Sequence, residues 1–212
     1  MINKILIIVS VILILLGLGG AKTKNMKKKL LFLCISTIGM VVLPVSLWNL
    51  FGVKGGLRQA VFQLPALICF VLLFCNICKK NELTSVEELA GMRQKMPFLY
   101  TAAVIFAVVL AGFPATGTFY GIMYSLLGLL GGDFGICTYL GMFGVIAGIA
   151  ISVMLTFSIL KQAYLSGDVK LKSASGGLAA VVAVIALLLV VLCIFQNQAM
   201  SVIDNPIEKI FS

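Results

Sequence analysis

The sequence predicts an all-α integral membrane protein with about six transmembrane helices, one of them broken near the membrane centre. Three observations carry this. Hydrophobic residues make up 61% of the 212-residue chain and charged residues 11%, with a mean hydropathy of +1.17; a soluble domain of this length needs far more polar surface. Several apolar stretches approach 20 residues, enough to cross about 30 Å of hydrocarbon as helix. Finally, GFPATGTFYG, residues 112–121, sets a proline, two threonines and three glycines in the middle of such a run. A transmembrane β-barrel would alternate polar and apolar residues in short segments, and no stretch here does.

The first segment, residues 3–20, reads as an uncleaved helix. A signal peptide would use Lys4 as its basic end and GGA as its cleavage site. The five lysines of AKTKNMKKK that follow resist export, so this end of the helix is expected in the cytoplasm and the N-terminus outside. The second segment spans about 30–52, with Pro44 as an expected kink. A short loop carrying Lys54 and Arg58 is expected next, then a third segment at about 57–78 containing Gln63 and Pro65. The longest polar stretch, residues 79–96, reads as a cytoplasmic loop. Within it Thr84 or Ser85 is placed to cap a short amphipathic helix, with Glu87 and Glu88 near the acid position of a capping box.

Residues 97–131 read either as a hairpin of two short helices or as one discontinuous crossing, and the basic residues arbitrate. With one crossing, the loops at 22–29, 79–96 and 161–172 share a side and hold 12 of the 16 Lys and Arg residues. That leaves Lys4, Lys54, Arg58 and Lys209 opposite. With a hairpin the split falls to 10 against 6, which the positive-inside rule disfavours. Residues 98–112 alone give only about 22 Å of helix, too short to span. One broken helix is therefore expected. Pro114 removes a backbone donor, and Gly112, Gly117 and Gly121 allow turns. The freed N–H and C=O groups need partners where there is no water; Thr116 and Thr118 supply some, and a neighbouring helix must supply the rest.

The next segment, about 136–162, carries Gly141, Gly144 and Gly148 at a spacing that lets helices approach closely. Residues 176–196 form a bland apolar helix, and 197–212 a short amphipathic, extracytoplasmic tail. The whole chain, 1–212, is thus expected to be a single transmembrane domain with both termini outside, in a prokaryotic plasma membrane. The net charge of +9 marks cytoplasmic loops rather than a nucleic-acid partner. There is no histidine, which removes the usual proton shuttle near neutral pH. Most of the six cysteines, at 34, 69, 75, 78, 137 and 193, lie in apolar segments, where Cys acts as a small hydrophobe. The lone Cys75–Cys78 pair is a weak metal or redox signal. No catalytic group, metal site or cofactor is expected.

Four patches, in order, resemble the C-terminal half of the antiporter-like subunits of complex I, a family shared with membrane-bound hydrogenases, formate hydrogenlyases and Mrp-type antiporters. KNMKKKLLFLCISTIGM (24–40) resembles a stretch that in the family reads D-[IL]-K-R-L-[IL]-A-Y-S-S. VEELAGMRQKMPF (86–98) resembles its K-M-P entry to a broken helix. AGFPATGTFYGIM (111–123) resembles the G-[IM]-P break, and SILKQAYLSGD (158–168) the cytoplasmic end of the following helix.

Full-length members hold about fourteen helices in two inverted five-helix repeats, so the resemblance implies a truncated member with only the last six helices. It also implies an ion path that has decayed. The family's Lys or Glu at the end of the broken-helix motif falls on Ile122, and the preceding helix's His, His and Lys positions fall on Gln63, Leu67 and Val71. Lys27 matches a family loop lysine. All seven acidic residues fall in predicted loops or tail, so the membrane half reads as electrically silent. The leading expectation is a non-catalytic, structural subunit beside other membrane subunits and lipids, in a multi-subunit redox or antiporter complex. The alternatives are a half-bundle that completes a H⁺ or Na⁺ path with a neighbour, and a stand-alone small carrier.

Overall fold

In the computed structural model, which describes residues 2–166 and 176–211, helices α1 to α10 account for nearly all of the regular structure. Helix α1 (Ile2–Leu16) turns at Gly17–Leu18 into the short α2 (Gly19–Lys22). Helix α3 runs Met26–Val45 behind an Asn25 cap whose side chain accepts the Lys28 N–H. Pro44, expected to kink this segment, sits in its last turn instead. The helix stops one residue later, and Trp48 takes a left-handed φ of 48°.

The loop expected at Lys54 and Arg58 does not form. Asn49 accepts the Gly52 N–H at 2.8 Å and starts α4, which continues without interruption from Leu50 to Asn81. That is 32 residues, about 48 Å of helix. Two cations in a short stretch signal a loop in the sequence, but their charges are met elsewhere in the bundle by Glu208 and Asp204.

Residues 82–96 fold as a single 3₁₀ turn, Glu87–Leu89, and the four-residue α5 (Met92–Lys95). The capping chemistry is present without the amphipathic helix: Glu88 accepts the Thr84 and Ser85 N–H groups, and Ser85 Oγ accepts that of Glu87. Pro97 then opens α6 (Pro97–Leu110), where its missing donor costs nothing. After the break come α7 (Gly117–Leu130), α8 (Ile136–Tyr164), α9 (Gly176–Ile194) and α10 (Gln196–Phe211).

Among the described residues five helices are long and apolar enough to cross a membrane: Ile2–Lys22 counted as one, α3, α4, α8 and α9. Helices α6 and α7 have 14 residues each, about 21 Å of helix apiece and too short to cross singly. Contacts at the bundle's ends show which loops lie together. Lys24 pairs with Glu87 at 2.9 Å, which raises the lysine pKa through the hydrogen bond and then the charge. Gly91 N–H donates to Leu165 O at 2.7 Å, and Arg93 lies 4.3 Å over the Tyr164 ring. The loops after α2, α4 and α8 therefore share one end, as the distribution of basic residues requires. Lys170 and Lys172 lie outside the described residues. At the other end Asn49 Nδ2 donates to Gly128 O at 2.8 Å.

Helix α4 is the hub, packing on α3, α6, α7, α9 and α10. Phe62, Phe70 and Phe74 on its faces are fully buried, as is Phe106 of α6. Without a hydrophobic drive between helices in lipid, close packing has to hold the bundle. The α4–α7 seam meets that need with small residues: a Cβ on Gly55 would lie 2.9 Å from both Gly121 O and Ser125 N. Both are backbone atoms, which cannot swing aside. Gly55→Val is therefore expected to lower the unfolding temperature in detergent sharply, by the equivalent of about 1–3 kcal/mol or more. Gly177→Val, at an open position on α9, is expected to leave it unchanged.

A hydrogen-bonded break beside a buried charge cluster

The break occupies residues 111–116. An α-helix leaves its last four carbonyls unsatisfied, and here all four are met. Ala107 O accepts from Ala111 N at 2.9 Å, Val108 O from Phe113 N at 3.2 Å and Val109 O from Gly112 N at 3.1 Å. Leu110 O accepts from Gln63 Nε2 of α4 at 3.1 Å. The neighbouring helix that the sequence called for is α4, and the donor is one of the residues singled out from it.

On the far side of the break, Thr116 caps α7. Its Oγ1 accepts the Phe119 N–H at 3.3 Å and donates to Phe113 O at 2.7 Å. Two residues take left-handed backbone: Gly112 at φ +66° and Ala115 at φ 73°. For alanine this costs on the order of 1–2 kcal/mol, a local strain held by the surrounding contacts. Pro114 is exposed, Thr116 is buried, and Thr118 is fully buried with its Oγ1 lacking a protein partner.

Ile122 is 1% exposed, and its Cδ1 lies where a Cβ on Gly112 would approach to 2.4 Å. This branched apolar chain closes over the break. Leu67 is buried and Val71 half-buried, both in the apolar core. Gly117 and Gly121 let α4 approach: a Cβ on Gly117 would strike the Phe62 ring, and one on Gly121 would lie 3.0 Å from Gln59 N. Gln59 Nε2 bonds Ser125 Oγ at 3.0 Å, and Ser125 Oγ donates to Gly121 O. Helix α9 ends beside the break, where Val108, Val109, Ala115, Thr116, Cys193 and Gln196 line a cavity of about 470 Å³. Lys27 is exposed at the loop end, near Cys75 and Cys78. The buried lysine of this run is Lys29, whose Nζ donates to Ser158 Oγ at 2.9 Å.

Electrical silence does not survive the structure. Lys54 and Arg58 are buried on α4 at 6% and 5% exposure. The tail forms the 16-residue helix α10, which packs on α4 and α9, and its Glu208 and Asp204 pair with Lys54 and Arg58 respectively. Arg58 also lies 4.7 Å over the Tyr124 ring of α7. Buried charges require such partners. The pattern was readable as lysine and arginine four apart, matched by aspartate and glutamate four apart, but nothing in the sequence joined the two pairs.

These features define a polytopic helical membrane protein organised around a discontinuous helix. The chain belongs to the NADH:quinone oxidoreductase/Mrp antiporter transmembrane family, whose profile matches residues 1–149. It is similar to NADH-quinone oxidoreductase subunit M of Rickettsia bellii (strain RML369-C), with 29% identity over 125 residues, 59% of this chain and 25% of that one. It is also similar to NADH-quinone oxidoreductase subunit N of Sphingopyxis alaskensis, with 29% identity over 115 residues, 53% and 24% of the two chains. Its fold matches chains in three solved assemblies, each over 99% of its length. The TM-score is 0.76 at 20% identity for respiratory complex I from Thermus thermophilus with bound NADH, covering 45% of that chain. It is 0.83 at 17% for an archaeal membrane-bound sulfane sulfur reductase, covering 42%, and 0.81 at 14% for the Mrp complex of Dietzia sp. DQ12-45-1b, covering 47%. The chain spans about a quarter of the length of these curated relatives.

Gln63→Leu removes the donor to Leu110 O and strands that carbonyl. It is expected to destabilise the fold by about 1–3 kcal/mol, read as a fall in thermal midpoint in detergent. Thr101→Val, which loses an exposed hydroxyl bonded only to Pro97 O, is expected to change little.

Proposed function

We propose that this chain is a non-catalytic membrane subunit of a multi-subunit ion-translocating assembly, of the redox-driven or antiporter kind, in which the broken helix serves as a scaffold. The packing of Ile122 over the break carries this reading. Proton transfer requires groups that bind and release a proton, and at positions 122, 67 and 71 the chain offers only apolar side chains. Its relatives are named as subunits of quinone oxidoreductases, and its structural counterparts lie within multi-subunit membrane complexes, which supports other membrane subunits as its neighbours. Redox chemistry, where the assembly has it, belongs to those neighbours.

The orientation follows the basic residues. The end built from residues 22–29, 79–96 and the C-terminus of α8 faces the cytoplasm, and both termini face outward. A second reading has one observation in its favour: the buried pairs between α4 and α10 suit a half-bundle that completes a H⁺ or Na⁺ path with a neighbouring subunit. A stand-alone carrier has no such support.

Mild-detergent extraction distinguishes these readings. Co-purification with other membrane subunits is expected, and a stable homo-oligomer alone would contradict the assignment. In the assembled complex Ile122→Ala is expected to leave ion flux near the wild-type value; a large loss with the subunits retained would contradict a scaffolding role for the break.

A further inference from the structure

Helices α6, α7 and α9 leave a cavity of about 470 Å³ beside the break, within the roughly 300–1,000 Å³ range of small-molecule sites. Most of its lining is valine and isoleucine from α6 and α9, and among the described residues no charged side chain lines it. The polar side chains in its wall are Thr116, Tyr120, Cys193 and Gln196. Thr116 Oγ1 is already taken up by the break, bonded to Phe113 O and to Phe119 N. Gln196, the first residue of α10, is different. It is 7% exposed, and its Oε1 has no hydrogen-bond partner among the described residues. An unpaired buried carbonyl is costly, so the site calls for a donor that the chain does not supply. Tyr120 and Ile194 line the cavity and are also exposed, so it opens on the surface of the bundle.

We propose that this cavity binds a neutral lipid alcohol, an apolar molecule with a single hydroxyl, drawn from the surrounding bilayer, and that the hydroxyl donates to Gln196 Oε1. Lipid tails are as apolar as the cavity wall, so the wall alone favours no molecule of the bilayer over another. The hydroxyl does, because it satisfies an acceptor that otherwise stays buried and unpaired. A methyl ether of the same chain brings no donor and leaves Oε1 as it was. A phosphate or carboxylate headgroup meets no cation in this wall, and burying one unpaired is costly. A water molecule is a poor substitute, since it wants about three polar partners and the wall is mostly aliphatic. This goes beyond the proposed function, which assigns no ligand to the chain, and does not depend on it.

Photolabelling of the purified full chain in lipid nanodiscs tests this. The probes are a long-chain alcohol carrying a diazirine, its methyl ether, and a phospholipid with the same diazirine chain, each at equal mole fraction, with labelled residues located by mass spectrometry. The alcohol is expected to label Val190 and Cys193 about fivefold more than the ether does, the selectivity of one net neutral hydrogen bond, and more than the phospholipid does. Leu187, exposed on α9 outside the cavity, is expected to take all three probes alike. Gln196→Leu is expected to bring labelling by the alcohol down to that by the ether. Val108→Trp, which fills the cavity, is expected to remove label from Val190 and Cys193 and to leave it on Leu187. Equal labelling of the cavity by alcohol and ether in the wild-type chain overturns the proposal, and so does labelling by the phospholipid as strong as by the alcohol, which would mean ordinary bilayer lipid only. A preference for the alcohol that survives in Gln196→Leu, with the melting profile unchanged, overturns the role of Gln196. The wild-type comparison needs no substitution, so it decides the matter even where a variant fails to fold.

Discussion

A helix cannot stop halfway through a bilayer unless its last carbonyls find donors, and here the fourth of those donors comes from another helix. Gln63 reaches from α4 to Leu110 O, while Ala111, Gly112 and Phe113 turn back onto the other three carbonyls. Without that amide one carbonyl would remain buried and unpaired. The position of α4, the close glycine seam to α7 and the sealing of the break by Ile122 all follow from keeping Gln63 within reach.

The same helix that closes the break also carries two buried cations, Lys54 and Arg58. From Gln63 toward the N-terminus of α4 the side chains pass from amides, Gln63 and Gln59, to charges, Arg58 and Lys54. The charges meet α10 rather than water. A buried pair adds little stability over an apolar contact of equal size, but it does fix which surface meets which. The two pairs thus set the register of α10 on α4, and α10 in turn holds Gln196 and Met200 against the bundle near the break. Discontinuous helix and terminal helix are both referred to one central element.

Much of this was legible in the sequence. The membrane class, an interruption within the GFPATGTFYG stretch and the apolar character of position 122 follow from hydropathy and from that stretch's proline and glycines. What escaped has a common cause. Lys54 and Arg58 read as a loop because isolated charges belong in water, and Asp204 and Glu208 read as a polar tail for the same reason; only long-range packing, across some 150 residues of chain, lets them cancel. Asn49 before an apolar run was a usable helix-start signal that would have placed the start of α4 at Leu50. Lys27 and Lys29 differ only in which face of α3 they occupy, and the run KKK does not disclose that face.

The central claim is that the break is a closed, hydrogen-bonded joint. Reactivity of a cysteine placed at its seal tests this most directly. In the assembled protein Ile122→Cys should resist a water-soluble thiol reagent for as long as the fold holds, with modification followed by mass spectrometry at that peptide and Lys27→Cys, at an exposed position at the loop end, as the reactive reference. Rapid modification at 122, at a rate near that of the Lys27→Cys reference, would mean that water reaches the break, and the account of a sealed scaffold would be wrong.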